Sequence, residues 1–147
     1  MKIKQISVAI ENSKGRLYEI TKALGDAGVN IRALNLVDTV DFGTVRLIVS
    51  DVATSRRVLM EMHMPAHMDE VIAVELADTA GSLAEFLKIL YDAGVSIGHM
   101  YAIVGSASGK AIMLFHFSDN DRAIQVIQEK GVNLLTAEEL GVYETTG

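Results

Sequence analysis

The chain contains no cysteine, no tryptophan and one proline among its 147 residues. Without cysteine, disulfides, thiolate chemistry and cysteine-based zinc sites are excluded. The formal net charge is −6 and no basic run is present, which argues against a nucleic acid or an anionic membrane as the main partner. No segment approaches the run of about 18 apolar residues that a membrane span requires. Apolar and polar residues alternate too strictly in the first ten positions for a signal peptide. We therefore expect a cytoplasmic protein.

Motifs of common catalytic machinery are also missing. The sequence has no P-loop, no G-x-S-x-G, no H-E-x-x-H and no dinucleotide-binding fingerprint. His63 and His67 have the four-residue spacing of metal ligands on a helix, but Pro65 lies between them and should break the helix. We expect no enzyme activity, no cofactor and no metal site.

What the sequence does contain is an internal repeat. Residues 11–36 and 77–102 align with an offset of 66 positions, and ten of the 26 aligned pairs are identical. Ordinary residue usage gives roughly one or two identities by chance. One structural unit is therefore used twice, and we expect two domains, residues 1–69 and 70–147. The identical pairs are Gly15/Gly81, Leu17/Leu83, Glu19/Glu85, Lys22/Lys88, Leu24/Leu90, Asp26/Asp92, Ala27/Ala93, Gly28/Gly94, Val29/Val95 and Ile31/Ile97.

Hydrophobic periodicity gives the order of elements in each repeat. Alternating apolar residues predict a first strand, and an apolar stripe with helical spacing predicts the helix that follows. Two further strands, a second helix and a short last strand complete a βαββαβ order. This order predicts an α+β fold, two ferredoxin-like sandwiches with helices on one face of a four-stranded antiparallel sheet. The residues of the two stripes are Leu17, Ile20, Leu24 and Ala27, then Leu83, Phe86, Leu90 and Ala93.

Capping residues set the expected element boundaries. Asn12, Ser13, Asp78 and Thr79 suit helix N-caps, and Gly28 and Gly94 suit left-handed C-terminal caps. Ser118 with Asp121 resembles a capping box. The second helices are expected over 53–62 and 120–130. Short last strands are expected near 67–68 and over 132–135, with the two repeats joined through 68–71.

The loop and helix of each repeat resemble the ACT domain, a small-molecule-sensing module of amino-acid metabolism. The family pattern is an acidic or amide residue, then glycine, then leucine, and a helix ending near Gly-Val-Asn-Ile. It reads Asn12, Gly15, Leu17 and 28–31 in the first repeat, and Asp78, Gly81, Leu83 and 94–97 in the second. The resemblance covers nearly the whole chain and implies a free-standing tandem ACT protein. Many members have proline just before the glycine, where this chain has Lys14 and Ala80.

The resemblance implies that the units pair side by side and bind a free amino acid near the first loop. A helix N-terminus offers free amides to a carboxylate, and Asn12 or Asp78 can accept from an ammonium group. The same residues can instead be simple helix caps, and Gly15 and Gly81 can instead permit tight packing. Lys14 adds a cation that can pair with a carboxylate, so the first loop is slightly favoured as the ligand site. The candidate ligand-binding residues are Asn12, Ser13, Lys14, Gly15, Arg16, Leu17, Asn30, Ile31, Asp78, Thr79, Ala80, Gly81, Ser82, Leu83, Ser96 and Ile97.

Three functional interpretations follow from these features. The leading one is a regulatory protein that senses an amino acid at ACT–ACT interfaces and modulates a metabolic enzyme or a regulator. The first repeat also resembles, in part, the regulatory subunit of acetolactate synthase. The third interpretation is a structural dimerisation module without ligand. A homodimer is expected because half of the residues are hydrophobic, and a four-stranded sheet leaves edges that pair readily.

Overall fold

A computed structural model describes residues 1–11, 14–38, 42–103 and 109–144 of the chain. Each repeat has the order βαββαβ, with one long strand shared between the two, which confirms the predicted pair of ferredoxin-like units. The elements are β1 (Lys2–Glu11), α1 (Arg16–Asp26), β2 (Ile31–Asp38), β3 (Phe42–Val49), α2 (Val52–Glu61), β4 (Ala66–Ala77), α3 (Ser82–Ala93), β5 (Ile97–Ile103), β6 (Lys110–Phe117), α4 (Asn120–Glu129) and β7 (Asn133–Leu135).

One predicted boundary is wrong. The last strand of the first repeat and the first strand of the second are expected to be separate, but β4 is a single strand over Ala66–Ala77. Between Ala66 and Ala77 there is no glycine, proline, asparagine or serine, and Asp69 alone is too weak a turn signal to interrupt the strand. Pro65 lies in the short connection between α2 and β4, which keeps it out of the strand ladder.

The chain divides into two compact units. The first unit comprises residues 4–69 with the C-terminal segment from Glu138, and the second comprises Met1–Ile3 with Glu70–Ala137. β4 therefore contributes its residues up to Asp69 to the first unit and the remainder to the second. The expected domain boundary between residues 69 and 70 stays a prediction.

In the first unit, β3 lies between β2 and β1 and pairs antiparallel with both. In this register, Gly43 of β3 is paired with Ile10 of β1 on one side and with Asp38 of β2 on the other. The helix-facing side of this sheet packs on α1, of which Ile20 and Leu24 are buried as their periodicity predicts. The fully buried core residues include Ile6, Val8, Ile20, Leu24, Val45 and Leu47.

In the second unit, β6 lies between β5 and β4, and β7 pairs antiparallel with β4. Its core is aromatic. The rings of Phe86 and Phe115 lie 5.2 Å apart between centroids, and Phe115 stacks on Phe117 at the same distance. Leu83 belongs to the predicted stripe but is exposed, because it lies in the first turn of α3 beyond the edge of the core.

Aspartates cap the second helix of each unit. The Asp51 carboxylate accepts from Thr54 N at 3.0 Å and from Thr54 Oγ1 at 2.6 Å. Asp119 accepts from Arg122 N at 3.0 Å, so the predicted capping residue Ser118 is wrong by one position. Ser118 Oγ instead accepts from Ser96 N, which ties the end of β6 to the start of β5.

The C-terminal segment packs within the first unit. Tyr143 N donates to Ser50 O at 2.8 Å, and Tyr143 O accepts from Val52 N at 2.9 Å. The side chain of Val142 is buried, and Arg32 Nε donates to Gly141 O at 3.4 Å. None of the helices in the described part of the chain is long and apolar enough to cross a membrane.

Candidate functional site

A glycine with left-handed backbone geometry precedes the first helix of each unit. Gly15 has φ 91° and Gly81 has φ 86°, and each is the N-cap residue of its helix. A Cβ atom added at either position meets no atom within 4 Å, so the glycines are not required for tight packing. The positive φ is what favours glycine at both places.

The predicted side-chain caps are not formed at α3. Gly81 is the N-cap residue, and no side chain caps this helix, so Asp78 and Thr79 do not have that role. Thr79 Oγ1 lies 2.6 Å from Ser82 Oγ, and Ser82 N donates to Thr79 O. The tight glycine turn brings backbone and hydroxyl groups to the helix end instead of a carboxylate. Asn12 and Ser13 lie outside the described residues.

One groove of the first unit brings part of the predicted site together. It has a volume of about 390 Å³ and is called the Gly15 groove here. Gly15 and Leu17 were predicted, whereas the other lining residues were missed. The lining consists of Ile10, Glu11, Gly15, Leu17, Tyr18, Leu36, Asp38 and Gly43. Two carboxylates therefore border a surface that is otherwise mainly apolar, next to the N-terminus of α1.

Arg16 lines a different cavity of the first unit, and Ser82 lines the equivalent cavity of the second unit. In the first unit it has about 200 Å³ and joins Arg16 to Phe42, His63 and Pro65. In the second unit it has about 360 Å³ and joins Ser82 to the equivalent turn after α4. Arg16 Nη1 also pairs with Glu19 Oε2 at 3.0 Å. Lys14 and Ala80 are exposed and line neither cavity.

The predicted residues that open β2 and β5 lie at the far end of these strands. Asn30 N donates to Ser50 Oγ at 2.8 Å, and Ile31 is paired with Val49. The Gly15 groove instead contacts the other end of β2, at Leu36 and Asp38. Ser96 is bonded to Ser118 in the same way, and Ile97 pairs with Phe117. Within each unit, the structure does not bring these four residues to the glycine turn.

The histidines do not assemble into a metal site within the described ranges. His63 lies in the turn after α2 and His67 lies in β4, so the two do not share a helix face. His99 and His116 occupy the neighbouring strands β5 and β6, and their rings stack with centroids 5.0 Å apart. No group of three or more His, Asp or Glu side chains in the described part of the chain is arranged to hold a metal ion.

The fold and the glycine turns define a pair of ferredoxin-like units, each with its first helix preceded by a left-handed glycine. Residues 1–143 match the family described as an ACT domain pair, and the chain belongs to that family. The predicted resemblance is thereby confirmed. A search of functionally curated proteins found no match to the chain.

Solved structures share the fold. The chain is similar to protein BT0572 from Bacteroides thetaiotaomicron, with 34% identity, 96% of each chain covered and a TM-score of 0.89. The ligand-free regulatory subunit of aspartate kinase from Thermus thermophilus shares the fold, with 12% identity, 86% of this chain and 90% of that chain covered and a TM-score of 0.59. Aspartate kinase from Clostridium acetobutylicum matches with 18% identity over 87% of this chain and 32% of that chain, at a TM-score of 0.55.

Proposed function

We propose that the chain is a non-catalytic regulatory protein of the cytoplasm that binds a free aliphatic amino acid in the Gly15 groove. The observation that carries the proposal is the groove itself, because it joins two carboxylates, an apolar surface and a helix N-terminus. Its volume of about 390 Å³ lies within the usual range for small-molecule sites. The bound state would be passed to a metabolic enzyme or a regulator through linkage.

Each part of an amino acid has a matching partner in this groove. The first-turn amides of α1 and the positive end of its dipole suit the α-carboxylate. Glu11 and Asp38 suit the α-ammonium group. Leu17, Tyr18 and Leu36 offer contact to an aliphatic side chain. An amino acid would thus be oriented by its charged end and selected by its apolar end.

The second unit lacks the same chemistry. Sequence positions that correspond to Glu11 and Asp38 carry Ala77 and Val104. Tyr18 is replaced by Ala84. The second unit therefore has no carboxylate at the two positions that border the Gly15 groove in the first. For this reason we place the sensor in the first unit.

Calorimetric titration with each proteinogenic amino acid tests this proposal. An aliphatic amino acid should release heat, and at a hundred times its dissociation constant it should stabilise the fold by about 2.7 kcal/mol. Glu11→Gln and Asp38→Asn should each weaken binding. Glu61→Gln removes an exposed carboxylate of the same unit outside the groove and should leave binding unchanged. A chain that binds no amino acid would favour the structural dimerisation module instead.

We also propose that the homodimer forms along β2. This strand lies at the end of the strand order, so one side of its backbone is open to pairing. Large apolar side chains are exposed on β2 and beside it, which is typical of an interaction surface. They are Tyr18, Leu34, Leu36, Val37 and Phe42. Because Tyr18 and Leu36 also line the Gly15 groove, a partner at this edge would lie next to the ligand.

A further inference from the structure

A second groove of the first unit has cationic rather than acidic lining. It has a volume of about 380 Å³ and is called the His63 groove here. It is lined by Arg56, Met60, His63, Met64, Pro65 and Ala66. No carboxylate lines it, although the whole chain has a net charge of −6. The groove therefore combines positive charge with an apolar surface.

His63 has an unusual backbone conformation. Its φ is 58°, which makes it the one residue other than glycine with positive φ in the described part of the chain. The turn closes with His63 N donating to Met60 O and Met64 N donating to Leu59 O. The equivalent turn after α4 has Gly131 with φ 72°. Glycine is the residue that this turn favours, so the fold alone does not explain a histidine here.

The Arg56 and His63 side chains of the groove have no partner in the described residues. The His63 ring makes no hydrogen bond, ion pair or ring contact there, and Arg56 makes no hydrogen bond or ion pair. Glu144 shares a separate cavity of about 130 Å³ with Arg56 but forms no ion pair with it within 4 Å. Both side chains are exposed and line the same groove, so one ligand can contact the His63 ring and the Arg56 guanidinium together.

We propose that the His63 groove binds an aliphatic carboxylate that carries no ammonium group, such as a 2-oxo acid. The planar donors of Arg56 suit a carboxylate, and the His63 imidazole supplies a further donor. Met60, Met64 and Pro65 give an apolar surface that adapts to an alkyl chain. The lining has no acidic side chain to accept from an ammonium group, so it selects against amino acids. The proposal does not depend on binding in the Gly15 groove.

Titration of the full chain with 4-methyl-2-oxopentanoate and with leucine tests the proposal, since the two share a carbon skeleton. The 2-oxo acid should bind with an affinity that falls at least tenfold in Arg56→Gln and in His63→Gly. Arg57→Gln, a neighbouring exposed arginine outside the groove, and Asp38→Asn should leave this affinity unchanged. Leucine binding, where present, should depend on Asp38 and not on Arg56.

The His63→Gly variant also separates a binding role from a structural one. Glycine relieves the left-handed strain, so its melting temperature should rise by about 2 °C while the affinity for the 2-oxo acid is lost. A rise in melting temperature with unchanged affinity would overturn the proposal. So would a 2-oxo acid that does not bind at millimolar concentration. Binding of the 2-oxo acid by a chain that binds none of the aliphatic amino acids would overturn the Gly15 proposal and leave this one intact.

Discussion

The two units of the chain share one strand order but use their large apolar side chains differently. In the first unit, Tyr18, Leu36 and Phe42 are exposed near the β2 edge. In the second unit, Phe86, Phe115 and Phe117 are buried together in the core. The duplicated scaffold therefore leaves apolar side chains exposed near the β2 edge of the first unit and packs three aromatic rings together inside the second.

The two units also differ in the ionisable side chains around their glycine turns. At the repeat offset of 66, Glu11 and Arg16 of the first unit correspond to Ala77 and Ser82 of the second. His63 corresponds to Gly131, because the turns after α2 and α4 close with the same backbone hydrogen bonds. The glycines themselves are kept, with nearly the same φ. Backbone geometry is thus common to both units, whereas the side chains at these three positions are ionisable only in the first. Substitutions at matched positions of the two units test this comparison.

The largest effect is expected in the aromatic core. Phe86→Ala should destabilise the chain by about 3–5 kcal/mol, because its ring is 2% exposed and packs against Phe115. The equivalent residue of the first unit is Ile20, and Ile20→Ala should cost less since it removes a smaller side chain. Urea unfolding of both variants gives the two values. A smaller loss for Phe86 would contradict the importance of the aromatic cluster.

The next effect concerns the β2 edge. Leu36→Asp should weaken self-association by about 3 kcal/mol, because a two-fold interface loses an apolar contact twice. Ala102→Asp at the equivalent position of β5 is the matched control and should leave association unchanged. Analytical ultracentrifugation measures both. Equal weakening by the two variants would mean that β2 and β5 contribute alike to self-association.

Helix capping should show a smaller difference between the units. Asp51→Ala should cost about 1 kcal/mol, and Asp119→Ala should cost less. Thr54 donates two hydrogen bonds to Asp51, one from its amide and one from its hydroxyl, whereas the hydrogen bond that caps α4 joins Asp119 to the Arg122 amide. Thermal unfolding of each variant against the parent chain measures the difference. Equal losses would show that the additional hydroxyl contributes nothing.

Asp51 should also make stability depend on pH. The hydrogen bonds from the side chain and backbone of Thr54 hold the pKa of the Asp51 carboxyl below its usual value. A lowered pKa in the folded state means that the stabilisation is present above the unfolded pKa of about 3.9 and is lost as the pH falls through the folded pKa. Asp51→Asn should remove this part of the acid sensitivity, as unfolding at neutral and acidic pH can show.

The smallest effect is expected where the units are most alike. Lys22 pairs with Asp26 at 2.9 Å, and Lys88 pairs with Asp92 at 2.8 Å, both one helical turn apart. Lys22→Ala and Lys88→Ala should each cost about 0.3 kcal/mol and should do so equally. Added salt should reduce both costs. Urea unfolding of both variants at low and high ionic strength measures the two losses of stability and shows whether they are equal.

Local patterns predicted most of the fold. Periodicity identified the buried residues Ile20 and Leu24, and Gly28 and Gly94 have the expected left-handed conformation. The cap of α4 was missed because Ser118 and Asp119 are both good capping residues and their order alone does not decide between them. The single strand β4 was missed because a repeat suggests a break at its own boundary.

The candidate site was harder to predict because it depends on strand register. Glu11 and Asp38 lie far apart in sequence and reach one groove because Ile10 and Asp38 are both paired with Gly43. No short motif contains that information. The position of Asn30 at the far end of β2 follows from the same register. The glycine turns were found because their signal is local.

The attachment of the C-terminal segment has a practical consequence for dissecting the protein. A fragment ending at residue 69 lacks Val142, and it also lacks Tyr143, whose backbone is bonded to Ser50 and Val52. Such a fragment would leave a buried surface open and two hydrogen bonds unmade. Separate expression of the first unit therefore calls for a gene in which codons 138–144 are fused to those of residues 4–69.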